Sequence, residues 1–184
     1  YNYPYVNNFE CITGGIVAGD NDSVKNNVNN TVAYRKNINI GNGSLKATMT
    51  LNDDTNVCIF FKAVDINNYY YFAIDNVNKD FVLYKSYNGN IEKLQSISFE
   101  NKLQKVQIKI SIYESEISCF VNDNLIINHI DTSKIVSGSK YGIKVERGIA
   151  EYNNFEYESK EKSVSSTLFK IEFNVPKLVV IISW

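Results

Sequence analysis

The stretch LQKVQIKISIY, residues 103–113, decides the fold. Val106, Ile108, Ile110 and Ile112 fall on one side of it, and Lys105, Gln107, Lys109 and Ser111 on the other. Side chains point to opposite faces of a strand with a period of two. The stretch is therefore a strand with one face in a core and one in water. EISCFVN (116–122) follows after a short turn at residues 113–115, and LIINHI (125–130) follows the turn at Asn122, Asp123 and Asn124. Apolar alternation broken by such turns is a hairpin signal.

The same pattern continues outward. SLKATMTL (44–51) places Leu45, Ala47, Met49 and Leu51 on one face. VCIFFKAV (57–64), YYYFAID (69–75), DFVLYKS (80–86), KYGIKVE (140–146) and AEYNNFEYE (150–158) read as further strands. Polar turns divide them, at residues 65–68 and 76–79, at Asn88-Gly89 and at Gly138. Strands recur roughly every 10–14 residues with no helical period among them, which predicts an all-β sandwich or barrel. Asn is a poor helix former, and Ile, Val, Tyr and Phe prefer strands.

The 184 residues suit one domain with a substantial core. Lys+Arg 19 against Asp+Glu 20 leaves a net charge of −1, without the basic stripe that nucleic acid requires. Asn occurs 26 times, and 17 Lys stand against 2 Arg. AT-rich codons encode Asn, Lys, Ile and Tyr, so a single surface Asn or Lys is discounted as a functional signal. The first residue is Tyr1, which predicts a processed protein or a piece of a larger chain. No apolar run reaches the ~18 residues of a membrane span; the longest, LVVIISW, occupies 178–184. Cys11, Cys58 and Cys119 lie far apart and form no zinc or redox pair. The readings open for them are buried thiols or one disulfide with an odd thiol. Asn21, Asn29 and Asn42 match the N-glycosylation acceptor pattern.

The first 43 residues are looser, with short strands at FECIT (9–13), GIVAG (15–19) and TVAYRKN (31–37). Residues 20–30 read as a polar loop in which Val24 and Val28 alone are core candidates. The expected organisation is a sandwich over 1–158, a linker over 159–166, and appended strands or the start of a following module over 167–184.

The order of these pieces resembles the concanavalin A-like lectin/glucanase superfamily, in particular its laminin-G-like jelly-roll modules, including the 3-keto-disaccharide hydrolase type. The resemblance is carried by GSLKATMTL, FKAVDINNYYYFAID, FVLYKSYNG, LQKVQIKISIY leading into ISCFVNDNLII, and the closing KYGIKVERGIAEYNNFEYE. It covers residues 9–158. Leu103 stands where many members have a Trp, and Trp184 lies outside the matched region. The resemblance implies an antiparallel two-sheet jelly-roll sandwich, and a function drawn from lectins, adhesion modules and glycosidases.

A glycosidase needs two carboxylates across one cleft. Glu114/Glu116 and Glu156/Glu158 have strand spacing, but solvation explains both, and neither has the Glu-x-Asp-x-x-Glu pattern of the family's glucanases. His129, the one histidine, is read as structural or solvent-facing. No cofactor is fixed by the sequence. Hard oxygen ligands are abundant, and modules of the family the chain resembles often carry one calcium ion on a loop rim, which makes calcium the candidate. Candidate acids are Asp20, Asp22, Asp53, Asp54, Asp65, Asp75, Asp80 and Asp123, which also read as solvated turn residues; Asn153 stands where relatives often have Asp. The best candidate surface is aromatic. If Tyr70, Phe72 and Ile74 face the core, Tyr69, Tyr71, Ala73 and Asp75 face outward, joined by Lys62 and by Tyr84 or Lys85. Exposed Tyr offers contact area and a hydroxyl at low entropy cost. The expected function is a non-catalytic, secreted or cell-surface module, lectin-like or adhesive, that recognises a glycan or a protein partner. The alternatives are a protein–protein interaction domain without sugar binding, and a glycoside-active enzyme.

Overall fold

The computed structural model describes residues 5–160. They form fifteen strands and, among the described residues, no helix. In chain order these are β1 (Tyr5–Val6), β2 (Phe9–Thr13), β3 (Ile16–Ala18), β4 (Val24–Asn26), β5 (Thr31–Arg35), β6 (Gly43–Leu51), β7 (Asn56–Asp65) and β8 (Asn68–Asp75). They continue with β9 (Asp80–Tyr87), β10 (Asn90–Ser98), β11 (Lys105–Tyr113), β12 (Glu116–Val121), β13 (Asn124–Ile130), β14 (Lys140–Arg147) and β15 (Ala150–Ser159).

Two antiparallel sheets pack face to face as a jelly-roll sandwich. One has eight strands in the order β1-β2-β5-β14-β7-β8-β9-β10, and the other seven in the order β13-β12-β11-β6-β15-β4-β3. The deciding stretch lies inside the seven-stranded sheet, with Ile108 opposite Ala47 on β6 and Val121 on β12. Its apolar side enters the core: Val106, Ile108, Ile110 and Ile112 are buried with Leu45, Met49, Ile143, Val145 and Phe155. Inward faces this apolar are what two packed sheets require.

Two local expectations need correction. Residues 20–30 are not one loop: β4 forms within them, Asn26 is fully buried, and Val28 is exposed. Asn26 is buried at no loss because its amide bonds the Val28 and Gly148 carbonyls and accepts from the Ala150 amide. Strand β10 was not foreseen. It is an edge strand whose residues are exposed apart from Leu94, so it carries no alternation to read.

Asn and Asp shape the turns. Of fourteen non-glycine residues with left-handed backbone, ten are Asn or Asp, the side chains that best tolerate that region. All three cysteines are free thiols. Burial pushes the Cys58 and Cys119 thiols well above their ordinary pKa, so they remain protonated and pack as small hydrophobes. The expected linker and appended segment, beyond residue 160, lie outside the described residues, and β15 runs as far as Ser159.

Candidate functional site

The expected tyrosine surface is built differently from its sequence reading. Tyr70, Phe72 and Ile74 do face the core. Tyr71 and Ala73 lie on the other side of the sheet, yet Tyr71 is 3% exposed and Ala73 2%. They belong to a second apolar cluster with Cys58, Phe60 and Ala63, flanked by Val32, Tyr34, Tyr69 and Tyr84. Tyr71 stacks on Tyr84 at 4.7 Å between centroids and touches Tyr69 at 5.5 Å. The Lys144 ammonium caps the group, 4.3 Å from the Tyr71 centroid and 3.2 Å from the Tyr69 hydroxyl. The Tyr71 ring is therefore unavailable to a ligand, and Tyr34, Tyr69 and Tyr84 remain as a half-exposed strip.

Lys62 is also misplaced by simple alternation. A bulge interrupts the β7–β8 register between Phe61 and Asp65, and Lys62 sits in it with φ 51°. A bulge re-aims a side chain. Lys62 turns away from the outer tyrosines and into the sandwich, where its ammonium lies 5.5 Å over the Tyr70 ring. It leaves 8% of its surface exposed and donates to the Glu114 carbonyl at 2.8 Å. Lys85 is likewise internal. It pairs with Asp131 at 2.8 Å, and Asp131 also accepts from the Tyr70 hydroxyl. Burial acts to raise the Asp131 pKa, but the bonds from Lys85, Tyr70 and the Ser133 amide outweigh it and hold the carboxyl below its ordinary value.

Asp75 caps a turn. It accepts from the Val77 and Asn78 amides and from the Asn78 side chain, at 2.8–3.0 Å. Asp65 does the same for the Asn67 amide and the Asn68 side chain, and Asp80 accepts from Ser98. Asp75 and Asp80 are cross-strand partners at the two ends of one turn, and each is held by its own local hydrogen bonds. Among the described residues no group of three or more His, Cys, Asp or Glu comes together to hold a metal ion. The donor set implied for calcium does not fit this arrangement. Glu114, Glu116, Glu156 and Glu158 are all exposed. His129 is half-buried on β13 opposite Ile117.

A polar concavity was missed by the sequence reading. A hollow of about 450 Å³ opens where β1, β2 and β5 of one sheet approach β15 and the turn before β4. Asn7, Asn21, Asp22, Arg35 and Asn154 line it, over Phe9, Tyr152 and Phe155. Asn7, Asn21, Asp22 and Asn154 all have left-handed backbone, so turn chemistry brings amides and a carboxylate to one place. Asn154 stands in the bulge of β15 between Asn153 and Glu156. Arg35 lies 5.2 Å over the Phe9 ring and donates to the Asn7 carbonyl at 3.2 Å. Its buried Nε has no hydrogen-bond partner among the described residues. The floor is rigid, with Phe9 edge-on to Phe155 at 5.4 Å and the Tyr152 hydroxyl donating to the Cys58 carbonyl at 2.8 Å. The available signal is in the pairs Asn7-Asn8, Asn21-Asp22 and Asn153-Asn154, which an Asn-rich composition makes indistinct from the rest of the surface.

A second concavity, about 540 Å³, opens at one end of the sandwich between residues 40–42, the β11–β12 turn and residues 135–139, with Lys62 on its wall. The three glycosylation acceptors differ in setting. Asn21 lines the polar hollow, Asn29 accepts from the Gly148 amide at 3.0 Å, and Asn42 accepts from the Glu114 amide at 2.7 Å.

No protein-family model and no curated protein matches the chain. Solved structures do. The chain is similar to a carbohydrate-binding module, CBM66, of Bacillus subtilis, with 15% identity and a TM-score of 0.74 over 83% of this chain and 96% of that one. It is similar to chicken galectin 2, with 12% identity and a TM-score of 0.52 over 66% and 96%. It is also similar to a part of the GH43 protein BlXynB of Bacillus licheniformis, with 12% identity and a TM-score of 0.60 over 76% of this chain and 33% of that one. At these identities the likeness is one of fold: a jelly-roll sandwich shared with a carbohydrate-binding module and a galectin.

Proposed function

We propose that this chain is a non-catalytic, lectin-like module that binds a glycan in the polar hollow, outside the cell or at its surface, as one unit of a longer chain. The observation that carries the reading is the donor set of the hollow. Asp22 accepts hydrogen bonds, Arg35 donates them, and Asn7, Asn21 and Asn154 do both. Neighbouring hydroxyls of a sugar offer both roles at once. Neither Arg35 nor Asp22 is consumed by an ion pair within 4 Å among the described residues. The fold shared with a carbohydrate-binding module and a galectin supports the reading, as does the scatter of the carboxylates.

A glycan array of neutral oligosaccharides, run with and without calcium, supplies the ligand. Arg35→Ala and Asp22→Ala should each remove binding of the best hit, and calcium should leave it unchanged. Tyr69→Ala and Tyr84→Ala should retain it.

The second reading, a protein–protein contact, rests on the half-exposed strip of Tyr34, Tyr69 and Tyr84 beside Lys144. Tyr is favoured at protein interfaces for its area and its hydroxyl. Loss of binding in the tyrosine variants, with Arg35→Ala unaffected, would transfer the site to that strip.

A further inference from the structure

We infer that the end cleft beside Lys62 is a second subsite, which takes the single negative charge of an acidic saccharide, a carboxylate or a sulfate. The sugar part of this inference rests on the glycan reading above; the charge part stands on the cleft alone.

Lys62 is a buried cation without an anion. Among the described residues its ammonium makes one hydrogen bond, to the Glu114 carbonyl, and lies 5.5 Å over the Tyr70 ring, which leaves two of its three donors without a hydrogen-bond acceptor. No carboxylate lies within 4 Å of it among the described residues. Asp131, the one buried acid among the described residues, is held by Lys85 and Tyr70. Among the buried charges Lys62 and Lys85 outnumber Asp131, and the carboxylate in the cleft lining, Glu114, is exposed to water and makes no ion pair with Lys62 within 4 Å. Buried charges are ordinarily paired because desolvation is costly. Burial draws the Lys62 pKa below its ordinary value, against a smaller upward pull from Asp131. Glu114 is exposed, and it offers Lys62 its backbone carbonyl.

The backbone that holds Lys62 is costly as well. A lysine at φ 51° inside a strand occupies a region that ordinary residues avoid. Residues 135–139 pin it there: the Gly138 amide donates to the Lys62 carbonyl at 3.1 Å. A Cβ on Gly138 would collide with the backbone of Ala63. The same cleft is lined by Ser115, Ser137 and Ser139, the last of which bonds Asn39 through its hydroxyl, and has apolar walls from Ile112 and Ile135. Hydroxyls at the rim and aliphatic walls suit the edge and the C–H face of a sugar, and the free ammonium suits its charge.

The test uses trigalacturonate as the carboxylate probe, a sulfated disaccharide as the sulfate probe, and a neutral trisaccharide as control, each titrated by calorimetry. Lys62→Met keeps the length of the side chain and removes its charge. It should weaken binding of the acidic probe about tenfold or more, the worth of one charge-assisted hydrogen bond. Ile135→Glu places a like charge on a residue already 45% exposed and should weaken the same probe while the fold holds. The neutral trisaccharide reports on the hollow and the difference between acidic and neutral probes in Lys62→Met reports on the cleft, so failure of the hollow and failure of the cleft are read separately. If Lys62→Met does not fold, Ile135→Glu and the Lys62 side-chain carbon resonance of the unaltered protein decide. That resonance should move with the acidic probe and stay still with the neutral one. The probe that moves it identifies carboxylate or sulfate. The inference is overturned if neither acidic probe binds or moves the resonance, or if both variants bind it as the parent does.

Discussion

On the eight-stranded sheet, the side turned away from the sandwich carries Cys58, Phe60, Tyr71 and Ala73, all buried, and Tyr34, Tyr69 and Tyr84, half-buried. On the seven-stranded sheet the corresponding side carries Lys46, Thr48, Thr50, Lys105, Gln107 and Lys109, with none of these buried. The two sheets therefore solve different problems. The seven-stranded sheet has one dry face and one wet face, and it holds together through its partner sheet. The eight-stranded sheet is dry on both sides at its centre, where β14, β7, β8 and β9 lie adjacent. Its outer cluster is too small to be a third layer, and Lys144 with the tyrosine hydroxyls gives it a polar rim. The lesson is that alternation reports which side of a sheet a residue takes, while exposure depends on what neighbouring strands bring to that side.

The largest effects should erase the difference between the two sides of β8. Tyr71→Ala should cost about 3 kcal/mol, close to the loss from Tyr70→Ala, because a large buried ring leaves a cavity on either side. Urea denaturation of the two variants makes the comparison. A Tyr71→Ala cost under ~0.5 kcal/mol would return that side to open surface.

A pH titration sharpens the inner side. Asp131 is 5% exposed and its carboxyl is held below its ordinary value, so folding gains from its ionisation. The gain is complete above the unfolded-state pKa and is lost as pH falls through the folded one. Thermal stability should therefore drop in acid more steeply in the parent than in Asp131→Asn, which has no carboxylate to protonate. Parallel acid limbs for the two proteins would remove Asp131 from the account. Tyr69→Ala, at the half-exposed rim, should cost about 1 kcal/mol, between the buried ring beside it and a solvated residue.

These expectations mark what the sequence made legible. LQKVQIKISIY and SLKATMTL declared their inner faces because their outer faces are wet, and the sandwich followed from them. VCIFF carries the signal that was available for the other sheet. An unbroken apolar run means both faces are dry, and its neighbour YYYFA reads the same way. Taken as alternating, that run left Tyr71 in water. The turn of Lys62 into the sandwich was not legible, since a bulge is set by pairing with β8 and by Gly138, which is far along the chain. The polar hollow gathers residues from positions 7 to 155, and no local pattern announces such a meeting. Strand β10 has no buried face and so left no trace in the apolar pattern.

The smallest effect belongs to the wet face of the seven-stranded sheet. Gln107 lies on β11 beside Ile108, pairs across to Thr48, and is exposed. Its backbone amide is secured by the Asn122 side chain at 2.9 Å, a bond that survives replacement of its own side chain. Gln107→Ala removes an amide that water already solvates, so the change should stay within ~0.5 kcal/mol. Ile108→Ala, one residue along, should cost ~2–5 kcal/mol through lost transfer energy and a cavity. The ratio between these neighbours measures how one-sided the sheet is. The same neighbouring pair on the other sheet, Tyr70 and Tyr71, should give a ratio near one. Equal costs at 107 and 108 would show that the seven-stranded sheet also carries a dry outer layer. Its polar residues would then be covered by something the two sheets alone do not supply.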